Sequence, residues 1–240
     1  MIDIHSHILP GVDDGPPSME GALEMARIAA DDGTHTIVAA PHCLNGSYIN
    51  WRTTILSACM EINLALDEHH IPVTVLPGSE IHMSLEILDE LKKGRIMTIN
   101  DTGRYFSMEL PEQFIPETVI AFINRLQIAG VRPVISHPER NRTIQNDIKL
   151  LGELISAGAL SQVTAGSLTG GFGRRAVGCC MEIVEKGMLH LVASDAHSPE
   201  ARRPGLSRAY EKLASLAGMD TAKEIFFRMP QAVINGKISS

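Results

Sequence analysis

His5 and His7 stand two apart in the opening segment Met-Ile-Asp-Ile-His-Ser-His, and Asp195 and His197 repeat that spacing late in the chain. Side chains two apart on an extended segment leave the same side of a strand, so each pair is expected to aim two donors at one point. Asp14, His42, Glu80, Glu109 and His137 add five more side chains of metal-ligand type. Imidazole suits zinc, iron and manganese alike, while carboxylates bring hard oxygen donors and can bridge two ions. One His-x-His alone would be weak, because a single buried histidine is as readily a satisfied core residue. Two such pairs with five companions describe a metal centre.

The elements that must position these residues follow from the apolar pattern. Short β-like runs cover residues 1–5, 36–40, 72–76, 105–110, 133–136, 160–165 and 189–194. Helix-like stretches alternate with them. Ser18 can cap a helix through Asp32 that Gly33 stops, others cover 51–70 and 84–93, and one opens at Pro116. Such alternation predicts a parallel sheet with crossover helices. The nine residues fall at or just past the C-terminal ends of six of the seven runs. An open sheet would spread them along a line, whereas a closed (β/α)7 barrel brings them together on one face. The remaining histidines are read as structural: His69 and His70 end a helix, His35 lies in a loop, His190 opens a strand, and His82 is left outside the site despite its nearness to Glu80.

Composition narrows the class. The 240 residues carry no linker or low-complexity stretch and are read as a single domain, 1–240. A hydrophobic content of 44% supports a sizeable core, and no apolar stretch is long enough to span a membrane. A formal charge of −7 without a basic run argues against nucleic acid. The N-terminus has no leader-like features, so a cytoplasmic location is expected. Cys43, Cys59, Cys179 and Cys180 have neither CxxC nor disulfide-framework spacing. The Cys-x5-Arg spacing of thiol phosphatases is also missing, since Ile49, Ala65, Glu185 and Lys186 occupy the four required positions.

The segment Asp-Ile-His-Ser-His-Ile-Leu-Pro-Gly-Val-Asp-Asp-Gly resembles the start of the bacterial PHP-type (polymerase and histidinol phosphatase) protein-tyrosine phosphatases. So do Ala-Pro-His at 40–42, Gly-Ser-Glu-Ile at 78–81, Ser-His-Pro-Glu-Arg at 136–140 and Ala-Ser-Asp-Ala-His at 193–197. The blocks keep the family's order over nearly the whole chain. The resemblance implies a distorted, TIM-like (β/α)7 barrel of the PHP type with about three divalent metal ions, usually Mn2+, with Fe or Zn as alternatives. It implies a phosphotyrosine protein as substrate, namely a tyrosine kinase of capsule or exopolysaccharide biosynthesis. It also implies His5, His7, Glu80 and Asp195 on one ion, Asp14, His42 and His197 on a second, and Glu80, Glu109 and His137 on a third. Asp14 and Glu109 stand where many other PHP enzymes have histidine. His82 departs from the arginine often found two residues after the bridging Glu, and the family's arginine after Asp-x-His can be Arg202 or Arg203.

Three divalent ions against four carboxylates leave a charge of about +2, which favours a phosphate dianion. A water acidified by the metals is the expected nucleophile. Arg140 is placed to grip phosphate oxygens, with Arg202 or Arg203 as a second clamp. A tyrosyl leaving group, with a pKa near 10, needs no strong general acid. Competing readings are a PHP phosphoesterase for histidinol phosphate or a nucleotide, a metal-stabilised regulatory protein without turnover, and an amidohydrolase. The last would want a bridging lysine where Glu109 stands.

Overall fold

The computed structural model describes residues 1–112 and 114–237. The strands are short and mostly buried on both faces, as parallel strands covered by helices require. The strands are β1 (Ile2–Ser6), β2 (Thr36–Ala39), β3 (His42–Cys43), β4 (Thr74–Leu76), β5 (Glu80–His82), β6 (Tyr105–Glu109), β7 (Arg132–Ser136), β8 (Leu160–Thr164) and β9 (Leu191–Ala193). The helix Met19–Asp31 shows how the crossovers are specified. The Ser18 hydroxyl accepts from the Gly21 N–H at 3.3 Å, and Ala22, Leu23, Met25, Ala26 and Ala29 form its buried stripe. Gly33, at φ 88°, then turns the chain toward β2.

Among the described residues nine strands appear where seven runs are expected. His42 and Glu80 do not trail off strand ends but begin short strands of their own, β3 and β5. Proline explains both breaks. Pro41 separates β2 from β3 and Pro77 separates β4 from β5, and neither can donate to the ladder.

All pairings between these strands are parallel. One sheet runs β1-β2-β4 and the other β3-β5-β6-β7-β8-β9. The register sets His42 beside Glu80 and His82 beside Glu109, so ligand-type residues on adjacent strands are level. Ser6 and Ala196 form a parallel bridge beyond the end of β9. There the His7 N–H donates to the Ala196 carbonyl at 2.8 Å and the Asp195 N–H to the His5 carbonyl at 2.9 Å. Beneath the ligand-bearing ends, Ile4, Val38, Tyr105, Val134, Leu160 and Leu191 pack into one apolar cluster with Val233 and Ile234. Burying these side chains, at about 1.5–3 kcal/mol each, makes a stiff floor for the site. Two larger clusters lie between strands and helices.

Candidate metal centre

All nine ligand-type residues meet at the C-terminal side of the strands. His5 Nε2 and His7 Nε2 are 3.3 Å apart, as the two-residue spacing on β1 predicts. His5 Nε2 lies 3.6 Å from Glu80 Oε1 and 3.7 Å from Asp195 Oδ1. His7 Nε2 lies 3.5 Å from Glu80 Oε2 and 3.6 Å from Asp195 Oδ1. Asp14 Oδ1 is 3.5 Å from His42 Nε2 and 3.6 Å from His197 Nε2. His137 Nε2 is 3.0 Å from Glu80 Oε1 and 3.9 Å from Glu109 Oε1. Donor atoms of His7, Asp14, His42 and His197 lie within 4.8 Å of one another, as do those of His5, His7 and Glu80, and those of His42, Glu80 and Glu109. Glu80 thus belongs to two groups, as a bridging carboxylate would. The groups differ from the expected partition in three respects: His7 joins the second, Asp195 stands outside the first, and His42 stands in the third where His137 was expected.

The Asp195 and His197 pair reaches the site by another route than the His5 and His7 pair. Asp195 lies past the end of β9 with φ 52°, and His137 past β7 has φ 36°. Both are left-handed positions held by non-glycine residues, a strain that recurs where side chains must be aimed at a functional point. Asp195 Oδ1 and His197 Nδ1 still come within 3.7 Å. His82, left outside the site by the sequence reading, has Nδ1 3.4 Å from Glu109 Oε2 and reaches its edge.

Three groups that the sequence reading missed orient the imidazoles. Asp13 Oδ2 lies 2.7 Å from His7 Nδ1, and Gln162 Oε1 lies 3.0 Å from His5 Nδ1. The backbone carbonyl of Asp195 lies 3.0 Å from His197 Nδ1. Each acceptor takes the Nδ1 proton in a hydrogen bond and turns Nε2 inward, the nitrogen that a neutral, metal-binding ring would offer. Asp13 also accepts from the N–H of Gly15 and of His42, and a Cβ on Gly15 would sit 2.2 Å from the His7 carbonyl oxygen. Only glycine fits that loop. Asp3 ties the two ends of the chain, accepting from the His5 N–H and from both the N–H and hydroxyl of Ser194.

Electrostatics divides the histidines. Burial opposes charge on His7, but Asp13 and Glu80 outweigh it and hold the imidazole up at about 10. Burial likewise opposes charge on His137, and Glu80 and Asp195 hold it up at about 9. His197 goes the other way, pushed down to about 3 by burial together with His7 and Arg202. Burial works against ionising Glu80 and Asp195, yet the facing imidazoles, with Arg202 also beside Asp195, hold both carboxylates well below their ordinary range. His42 Nδ1 is buried without a hydrogen-bond partner among the described residues, although Glu80 Oε2 is 3.2 Å away. A ring nitrogen and a carboxylate facing one space without bonding each other suit a shared cation. The donor set therefore fits divalent metal.

Two guanidiniums close the site. Arg140 Nη1 pairs with Asp195 Oδ2, and Arg202 Nη2 lies 2.5 Å from the same oxygen. Arg202 Nη1 is also 3.0 Å from His197 Nε2. Of the two arginines left open by the sequence, Arg202 is the one in contact. Arg203 is exposed and makes no ion pair among the described residues, and it lines the same cavity as Asp195 and Arg202, with its neighbour's side chain the one paired to Asp195. The four cysteines are free and buried. Burial pushes the Cys43 thiol up to about 11 and those of Cys59 and Cys179 to about 12, so none is set up as a nucleophile.

Comparison with known proteins adds three findings. A family model described as capsular polysaccharide synthesis, CpsB/CapC, matches residues 1–235. The tyrosine-protein phosphatase YwqE of Bacillus subtilis is 42% identical over 202 residues, covering 84% of this chain and 79% of that protein. The tyrosine-protein phosphatase CpsB of Streptococcus pneumoniae is 30% identical over 239 residues, covering 98% of each. A solved structure from work on these two, described as unique metal-dependent tyrosine phosphatases, superposes with a TM-score of 0.96 at 37% identity, covering 100% of this chain and 96% of that one.

Proposed function

The chain belongs to the CpsB/CapC capsular polysaccharide synthesis family, and from that premise we propose that it is a metal-dependent protein-tyrosine phosphatase acting at the centre described above. The observation that carries the assignment is the convergence of five imidazoles and four carboxylates with two arginines that meet on one carboxylate oxygen. That combination suits a phosphomonoester dianion: the ligands hold cations and the guanidiniums grip equatorial oxygens.

His5, His7, Glu80 and Asp195 would hold one ion, Asp14, His42 and His197 a second, and Glu80 with Glu109 and His137 a third. The short separations within each group support that partition, with about three ions, manganese first among the candidates and iron or zinc as alternatives. When bound, divalent cations supply Lewis acidity toward a phosphoryl oxygen and acidify a water molecule. Asp13 and Gln162 keep the His7 and His5 lone pairs turned inward. Arg140 and Arg202 bind and orient the phosphoryl group, and a phenolate leaves without a strong acid to protonate it.

A distorted (β/α)7 barrel formed by one domain over 1–240 is part of the same reading. It is supported by β2 with β3, and β4 with β5, each acting as one strand broken at a proline, and by the Ser6 and Ala196 bridge joining first strand to last. The physiological substrate we infer is a phosphotyrosine on a polysaccharide-biosynthesis kinase. A cytoplasmic site of action fits the four unpaired cysteines. The test is kcat/KM on a phosphotyrosyl peptide beside histidinol phosphate, before chelation, after it, and after adding Mn2+. The proposal expects the peptide to be preferred, the chelated protein to be inactive and Mn2+ to restore it. Preference for histidinol phosphate would move the chain to the small-molecule phosphoesterases.

A further inference from the structure

We propose that Phe172 is a specificity-determining residue that seats the aromatic ring of an aryl phosphate beside the phosphate clamp, an inference that rests on the tyrosine-phosphatase reading. Phe172 follows β8 on the tip Gly170-Gly171-Phe172-Gly173, where φ is 103° at Gly170 and 83° at Gly173. The Gly171 N–H donates to the Gly166 carbonyl at 2.7 Å and fixes the tip over the helix Ala165–Thr169. The ring lies directly on Gly166, where a Cβ would come within 2.9 Å of Phe172 Cε2. Glycine at 166 is thus what lets the ring lie down.

The ring's surroundings are those of the active site rather than the core. The Arg140 guanidinium carbon sits 4.6 Å from the ring centroid, within cation–π range. Even so, 38% of Phe172 remains exposed. It forms part of the wall of a cavity of about 740 Å³ that also takes in Asp195 and Arg202, so the ring shares one space with Arg202, while Arg140, stacked on the ring, lines the adjoining recess with Glu109 and His137. Ile28, Ala165 and Ala209 continue that wall with apolar surface. A phosphate gripped by Arg140 and Arg202 therefore has its ester substituent within reach of the exposed part of the Phe172 ring. A phenyl group gains from that contact, while the short alkyl chain of a serine or threonine phosphate does not reach it. Phe172 would then set the preference for aryl over alkyl phosphomonoesters, with Arg140 supplying the hold on phosphate that both share.

The experiment measures competitive inhibition constants on metal-loaded enzyme for benzylphosphonate and for methylphosphonate, with circular dichroism and metal content on the same samples. The ratio of the two constants isolates the ring's contribution from the phosphonate's. In Phe172→Leu that ratio should fall about five- to tenfold, the scale of an aromatic pair. Gly166→Ala should lower it similarly by lifting the ring while leaving Phe172 in the chain, and stands in should Phe172→Leu fail to fold. Phe172→Tyr should keep it. If both constants weaken together and the ratio holds, Phe172 only props Arg140 and the inference is overturned. If the unaltered enzyme itself shows no aryl preference, the tyrosine-phosphatase reading beneath it fails instead.

Discussion

Removing the Arg140 guanidinium tests what the clamp does, because it touches a ligand carboxylate and no other donor of the cluster in the observed pairings. Arg140 and Arg202 share Asp195 Oδ2, and their side chains are only 29% and 32% exposed. In such a partly dry site, losing one charge-assisted contact to a phosphoryl oxygen should cost about 2–4 kcal/mol, by analogy with oxyanion donors. That is roughly a thirty- to thousand-fold loss in kcat/KM for Arg140→Ala. Arg140→Lys should recover only part of it, since an ammonium lacks the planar fork. Metal content has the opposite expectation. The two arginines pair with the carboxylate that a first ion would use in the proposed partition, so Arg140→Ala should bind metal at least as well as the parent. The assay is steady-state kinetics on a phosphotyrosyl peptide with elemental analysis of the same preparations. A variant with undiminished kcat/KM, or one whose activity falls only in step with lost metal, would refute the clamp.

Arg203→Ala, by contrast, should leave kcat/KM on the same peptide within about twofold, as exposed charges generally do; a loss matching that of Arg202→Ala would reverse the choice between them. Asp13→Ala should weaken metal binding about 10- to 100-fold by freeing the His7 ring, read by chelator competition; unchanged affinity would make Asp13 a loop residue only. Gly15→Ala should destabilise the fold by about 1–3 kcal/mol through the clash with the His7 carbonyl, seen as a lower Tm in thermal melts; an unchanged Tm would mean the loop yields freely. The metal-free protein holds protons on His7 and His137 up to about 10 and about 9, whereas ligation needs neutral rings. Metal uptake at neutral pH should therefore release protons and tighten as pH rises toward those values, measurable by calorimetry in buffers of different ionisation enthalpy; affinity independent of pH between 6 and 9 would contradict it.

The candidate ligands are legible in the sequence because strand ends are. Apolar runs of period two or less mark β1, β6 and β7 sharply, and His5, His7, Glu109 and His137 follow from where those runs stop. His42 and Glu80 were found for a partly mistaken reason, since Pro41 and Pro77 break the strands and set each residue on a new one. Asp195 shows the limit more clearly: its aim comes from a left-handed backbone angle that no spacing rule announces. Asp13 stood beside Asp14 in plain view, but an acid that orients a histidine looks like any loop acid until its partner is located. Gln162 left a fainter trace, a polar side chain in the middle of a buried strand. The choice between Arg202 and Arg203 depended on how the chain turns after His197, where the N–H groups of His197 and Ser198 both donate to the Arg202 carbonyl. The stacking of Arg140 on Phe172 joins residues from two separate strand-to-helix connections and needed the fold to be seen.

Anomalous scattering from crystals grown with Mn2+, recorded at the manganese edge, tests the central claim most directly because it reports count, position and identity together. The account predicts about three peaks, each bounded by donor atoms of the nine residues, with Glu80 between two of them and Asp13 and Gln162 still holding the far sides of their histidines. Strong peaks elsewhere, or none within reach of His5, Glu80 and Asp195 in a protein that still hydrolyses phosphotyrosine, would contradict it.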